Sequence, residues 1–159
     1  RQRQMCIRDR PYSGSVKGTD EYGYIVKGNY KDGKEEGIWE FYYDNGLIYS
    51  KSTYKDGKLH GDYEEYFSNG QLERKLTYKN GKLEGVWEEY EDDGQLYRKG
   101  SYSDGKEEGV WEFYYQNGQL YQKGIFKNDK RDGVWEFHNE NGSLSSKTTY
   151  KDGEIIKTE

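Results

Sequence analysis

The feature that most limits what this chain can fold into is an internal period of 24 residues, kept five times without insertion. The copies occupy residues 37–60, 61–84, 85–108, 109–132 and 133–156. A fixed period gives every unit the same neighbours, so the structure must propagate along one dimension. A partial copy lies in residues 11–36, where Val26–Glu36 falls in register with the later second halves. Lys157, Thr158 and Glu159 follow the last unit as a charged tail, expected to blunt an edge strand.

Gly opens each unit, at 37, 61, 85, 109 and 133. Trp39, Trp87, Trp111 and Trp135 share one column, with Tyr63 in the second unit. Glu40, Glu64, Glu88, Glu112 and Glu136 fill the next. Tyr42, Tyr66, Tyr90 and Tyr114 follow, with His138 in the last unit. A second Gly marks mid-unit (Gly46, Gly70, Gly94, Gly118, Gly142), and Lys51, Lys75, Lys99, Lys123 and Lys147 are invariant. Tyr54, Tyr78, Tyr102, Phe126 and Tyr150 end the second half. Aromatic and β-branched runs separated by Asn-Gly or Asp-Gly are the pattern of strands joined by tight turns. Each unit therefore reads as a hairpin, and Lys-Asp-Gly-Lys or a close variant joins it to the next. Asn128-Asp129 is the exception, with Asp where the other turns have Gly. The expected fold is all-β, an elongated single-layer antiparallel β-meander of stacked 24-residue hairpins.

A two-residue type I′ turn at Asn45-Gly46 sets a register. It places Glu40 opposite Lys51, Trp39 opposite Ser52, Tyr42 opposite Tyr49, Trp87 opposite Gly100 and Trp111 opposite Gly124. Opposite charges then pair across strands, and Trp covers strand Gly. One face carries Trp, Phe, Leu and the terminal Tyr; the other carries Val, the Glu–Lys ladder and paired Tyr. A three-residue loop with a Gly bulge would shift this by one residue.

Composition supports the periodic reading. Hydrophobic residues make up 31% and charged residues 35%, values that alone suggest disorder. But aromatics reach 17%, and they hold register, which a disordered chain has no reason to do. Aliphatic residues are too few for a two-layer core, so aromatic ladders must stabilise the sheet. The net charge is −5, of which residues 1–10 contribute four Arg and one Asp, leaving −8 for the remainder. That argues against nucleic acid, which needs a positive patch, and against anionic lipid surfaces.

The pattern Gly-x-Trp-x-x-Tyr-x-x-x-Gly-x-Leu, then Tyr-x-x-Gly-Lys, resembles the MORN-repeat family over residues 26–156. It is most similar to the bacterial MORN variant of the YwqK-type toxin–antitoxin antitoxins. The resemblance implies a sheet of successive hairpins and a scaffold or binding role without a catalytic site.

No catalytic residues, metal ligands or cofactor are expected. His60 and His138 are the only histidines and occupy different columns. The Glu column, repeated five times beside a Lys column, reads as a structural ladder: Glu40, Lys51, Glu64, Lys75, Glu88, Lys99, Glu112, Lys123, Glu136 and Lys147. The candidate binding residues are the aromatic columns, Trp39, Tyr63, Trp87, Trp111 and Trp135 with Tyr42, Tyr66, Tyr90 and Tyr114, because exposed aromatic rings on a rigid sheet suit interaction surfaces. The expected partner is a protein, with no small-molecule substrate. The alternative is a cell-surface, wall or glycan-binding module, since choline- and glucan-binding repeats are also aromatic hairpins. The sequence does not indicate a compartment.

Residues 1–10, RQRQMCIRDR, share no column with any unit and hold the chain's one Cys and one Met. All ten match the translation of a transposase adapter used in preparing sequencing libraries. They are read as non-native sequence on a bacterial metagenomic fragment whose own N-terminus is missing.

Overall fold

The structure, a computed structural model, describes residues 6–7 and 10–159, with side chains from Pro11 onward. The foreign origin expected for residues 1–10 falls largely outside the described residues. The short strands there, β1 (Cys6–Ile7) and β2 (Arg10–Pro11), pair with each other. The repeat region supplies β3 (Gly14–Thr19), β4 (Ile25–Lys31), β5 (Lys34–Tyr42), β6 (Ile48–Lys55), β7 (Lys58–Tyr66), β8 (Leu72–Lys79) and β9 (Lys82–Tyr90). It continues with β10 (Leu96–Ser103), β11 (Lys106–Tyr114), β12 (Leu120–Lys127), β13 (Lys130–His138), β14 (Leu144–Lys151) and β15 (Glu154–Thr158). These form one 13-stranded sheet in sequence order, with every neighbouring pair antiparallel. The fold is the expected single-sheet meander. The chain exposes 10347 Å², against about 8300 Å² for a compact monomer of this mass, as an elongated sheet should.

The turns are arranged differently from the expectation. The type I′ turns lie between units. Asp32, Asp56, Asn80, Asp104, Asn128 and Asp152 have φ of 50–53°, and the next residue is also at positive φ. At Asn128-Asp129 both residues adopt it, with Asp129 at 65°, because Asn and Asp tolerate this region better than other side chains. Within a unit the loop has three residues. Tyr43 N–H donates to Leu47 C=O at 2.9 Å and Gly46 N–H donates to Tyr43 C=O at 2.9 Å, with Gly46 at φ 82°. This is a type I turn closed by a Gly bulge.

The register still comes out as expected over most of each hairpin. Trp39 pairs with Ser52, Glu40 with Lys51, Trp87 with Gly100 and Trp111 with Gly124. The three-residue loop shifts the pairing by one residue, and a bulge at Tyr49 shifts it back. Tyr42 consequently faces Ile48, not Tyr49. Leu72, Leu96, Leu120 and Leu144 likewise oppose Tyr66, Tyr90, Tyr114 and His138, so the Leu column joins the Tyr and Glu face.

A second irregularity shapes the sheet. Tyr54 pairs with Leu59 but Ser52 pairs with Tyr63, so β7 carries two more residues than β6 over that stretch. The extra residues surround Gly61 at φ 111°, and the equivalent Gly37, Gly85, Gly109 and Gly133 have φ of 74°, 91°, 75° and 72°. The opening Gly column is therefore a kink, where a side chain would be strained. The kink brings each inter-unit turn onto the preceding unit: Gly57 N–H donates to Glu35 C=O, Gly81 to Leu59, Gly105 to Leu83 and Gly153 to Arg131, all at 2.8–2.9 Å.

The core is a single file of rings. Trp111 and Trp135 are fully buried, and Trp39 is 6% exposed. Terminal Tyr or Phe alternates with Trp, at centroid distances of 5.4 Å for Tyr102–Trp111, 6.0 Å for Trp111–Phe126 and 5.0 Å for Phe126–Trp135, each edge-to-face. Such pairs each contribute about 0.5–1.5 kcal/mol beyond burial. Each buried Trp lies on a Gly, but on that of the preceding unit. A Cβ at Gly28, Gly100 or Gly124 would come within 2.1–2.2 Å of Trp39, Trp111 or Trp135. Where that column holds Ser52 the ring is Tyr63, and where it holds Leu76 the Trp87 ring is only half-buried. The ring is buried where the column beneath it is Gly and half-buried where it carries a side chain.

The structure also extends the ends. β3 and β4 make a hairpin at residues 14–31 ahead of the first full unit, with no bulge in its register. Lys157 and Thr158 belong to β15, and Glu159 continues the pairing through two backbone bonds with Lys147. The charged residues are thus part of the last strand, where they stand beside exposed Ile155 and Ile156.

Replacing Gly124 with Ala forces a methyl group into the Trp135 ring and should destabilise the array by about 2–4 kcal/mol in urea unfolding. Gly18→Ala, at a site with open space around it, should change stability by less than about 0.5 kcal/mol. The pair Gly124→Ser with Trp135→Tyr, copying Ser52 and Tyr63, should recover part of the loss in a double-mutant cycle.

Candidate binding surface

The two aromatic columns proposed from sequence have different fates. Trp39, Trp111 and Trp135 are buried and Tyr63 and Trp87 half-buried, so this column is core and offers a partner little surface. The physical reason is the kink at each opening Gly, which folds the turn-proximal segment toward the ring file. In the last unit the Arg131 guanidinium lies 4.1 Å from the Trp135 ring centroid.

Tyr42, Tyr66, Tyr90 and Tyr114 are half-buried on the opposite face and bound to the Glu column. Their hydroxyls donate to Glu40, Glu64, Glu88 and Glu112 at 2.7, 2.8, 3.1 and 2.8 Å. Burial, then the bond to Glu64, pushes the Tyr66 hydroxyl up to about 12. Tyr90 and Tyr114 move up for the same reasons, burial first. These rings orient carboxylates.

The Glu–Lys ladder is continuous in register, from Lys27 opposite Glu40 through Glu136 opposite Lys147. Contact ion pairs form in only part of it: Lys99 and Lys123 both reach Glu112 at 2.8 Å, and Lys147 reaches Glu136 at 2.7 Å. Between the two lysines the Glu112 carboxyl falls to about 2, with Lys123 the larger influence and Lys99 next. Glu40, Glu64 and Glu88 are held by tyrosine hydroxyls, while Lys51 and Lys75 have no carboxylate within ion-pair distance among the described residues. Ile38, Val86, Val110 and Val134 stand beside this ladder and are about half exposed.

Two groups of side chains were not singled out by the sequence reading. The first is ionic and occupies the Trp face of the middle units. Phe41, Phe113 and Phe137 give way there to Glu65 and Glu89, and their cross-strand neighbours are Arg74 and Arg98. Arg74 reaches Glu65 at 3.3 Å, Glu73 at 3.0 Å and Glu89 at 3.4 Å, and Arg98 pairs with Glu89. Burial, then Glu65, raises Glu73 above the usual carboxylate range. The paired substitution of Phe by Glu and of its neighbour by Arg was visible in the columns.

The second group is aromatic and lies at the loop end. Tyr97 and Tyr121 occupy the bulge column and are 44% and 41% exposed. With Tyr115 and Glu91 they line an open groove of about 280 Å³. Tyr115 packs on Tyr121 at 4.9 Å between centroids, and its hydroxyl donates to His138 C=O at 2.8 Å, which fixes the ring. The sequence signal was the Tyr49, Tyr97, Tyr121 column, which a bulge-free hairpin assigns to cross-strand packing. His60 contacts Asn80 at 3.2 Å, and His138 Nδ1 is buried without a partner. Among the described residues no three His, Cys, Asp or Glu side chains converge as a metal-binding set.

The depressed Glu112 carboxyl has a defined pH consequence. Its interactions stabilise the fold fully above its ordinary value near 4.5 and are lost as pH falls through about 2. Glu112→Gln should cost about 1 kcal/mol at pH 7, and the difference from wild type in urea unfolding should shrink steadily below about pH 4.5 and be mostly gone at about pH 2.

The family model described as MORN repeat variant matches residues 35–56, 59–80, 83–104, 107–128 and 131–152. Each match spans one kinked strand, its three-residue loop and the returning strand, and ends on the first residue of the two-residue turn. No curated protein matches the chain. Five consecutive matches covering well over half of its length, on five hairpins of one geometry, place this chain in the MORN repeat variant family.

Proposed function

We propose that this MORN array is a non-catalytic scaffold whose exposed surface holds a protein partner. The observation that carries the reading is the groove at the loop end, where tyrosines are fixed by their neighbours yet left accessible on a rigid sheet. Rigid aromatic side chains lose little conformational entropy on binding and contribute strongly to protein interfaces. The repeat architecture favours an extended contact, because every unit offers its loop edge in the same orientation. The acidic balance favours a protein over nucleic acid or anionic lipid. The finer reading, suggested by the resemblance to YwqK-type proteins, is that the partner is a toxin and the array its antitoxin.

Affinity capture from source cells, with the full chain as bait, should recover one protein at near-stoichiometric amounts. The same bait should pass through peptidoglycan and chitin resins unretained. Retention on those resins with no protein recovered would replace this reading by the wall-binding one. For the antitoxin role, co-expression of the array should restore growth to cells expressing the captured partner, and unrelieved growth arrest would remove that role.

A further inference from the structure

Cations elsewhere in this molecule sit on aromatic rings. Arg131 lies 4.1 Å from the Trp135 centroid and 5.3 Å from that of Tyr150, Arg98 lies 5.4 Å from Trp87, and Lys27 lies 4.2 Å from Tyr42. Lys99 lies 5.9 Å from the centroid of Tyr114 on the groove wall, but among the described residues Tyr97, Tyr115 and Tyr121 have no such cation, although Tyr97 and Tyr121 are 44% and 41% exposed. The charged side chains that line this groove and its neighbour are both acidic. Glu91 lines the groove, and Glu140 lies with Tyr115 in an adjoining depression of about 490 Å³. Neither carboxylate has an ion-pair partner among the described residues. The chain as a whole carries a net charge of −5.

We infer that this pair of adjoining grooves takes two arginine or lysine side chains of a basic, extended segment in the partner protein. The inference rests on the scaffold reading and specifies its partner's chemistry. A guanidinium over Tyr97 and Tyr121, with Glu91 beside it, combines cation–π attraction with charge pairing. Gln116 lines both depressions and supplies an amide at their junction. The spacing selects the segment's conformation. Equivalent points on successive units are two strands apart, about 9.4–9.8 Å. A polyproline II segment repeats its facing every three residues with a rise of about 3.1 Å each, or about 9.3 Å. Basic residues three apart on such a segment would reach successive units in step.

The test uses the full chain, isotopically labelled for NMR, and a heptapeptide with Arg at its first, fourth and seventh positions separated by Pro pairs. Chemical-shift changes should centre on Tyr97, Tyr115 and Tyr121. The same peptide with citrulline for Arg should bind at least about tenfold more weakly, as expected when cation–π and charge terms are both removed. Tyr97→Ser with Tyr121→Ser should weaken the Arg peptide by a similar factor while cooperative urea unfolding and the backbone spectrum away from the groove show the sheet intact. Tyr121→Trp should tighten it.

Equal binding of the citrulline peptide, or binding unaffected by the Tyr pair, would overturn the inference. So would shifts at these tyrosines with chitohexaose and none with the Arg peptide. If a partner is captured by the array but the Arg peptide does not compete for it, this inference fails while the scaffold reading stands. If no protein partner exists, both fail.

Discussion

The contact between each buried tryptophan and the glycine one unit before it is the constraint on which the rest of the array depends. A 24-residue hairpin has little to bury, and this chain has few aliphatic side chains with which to do it. Removing the Cβ at Gly28, Gly100 and Gly124 lets an indole lie on the bare backbone of the preceding unit. The ring then meets a terminal Tyr or Phe on either side, and the file closes without a second layer. Because the contact runs from one unit to the one before, it couples units as well as filling space. Stability therefore accumulates along the array, in the manner of other one-dimensional repeats.

The period made much of this legible. Once five copies align, strand positions, pairing register and the opposition of Glu and Lys follow from the alternation of faces. The detailed backbone did not follow. Asn-Gly and Asp-Gly are both good type I′ sequences, and only the structure shows that Asp56-Gly57 adopts that turn while Asn45-Gly46 closes a three-residue loop. A bulge at Tyr49 then restores the register the loop had shifted. Two irregularities cancelled, so the Glu–Lys opposition was read correctly through a turn assignment that was not. The kink at the opening Gly was equally hidden. A fixed Gly column is compatible with a turn, a bulge or close approach, and choosing among them requires knowing where the next turn lands.

The same kink redistributes roles among the aromatic side chains. Tryptophan, the residue most often found at the centre of interfaces, is here withdrawn into the core, and the Tyr42 column orients carboxylates. The rings left exposed are those at the loop end, displaced there by the bulge. Variation among units points the same way. The opening Gly, Glu, mid-unit Gly and Lys columns are invariant through the five units. The bulge column runs Tyr49, Glu73, Tyr97, Tyr121 and Ser145, and the middle units exchange Phe for a Glu–Arg network. A scaffold built from identical frames can gain specificity only through such differences.

Exchange of the four indole N–H protons with deuterated water, followed by NMR, tests the central claim most directly. Trp39, Trp87 and Trp111 bury theirs without a partner, and Trp135 donates to Ile125 C=O at 3.1 Å. If the Trp file is the core, all four should exchange far more slowly than a free indole, with Trp111 and Trp135 the slowest. Exchange of Trp111 and Trp135 at the free-indole rate in the folded protein would contradict the account, and would return the tryptophans to the surface.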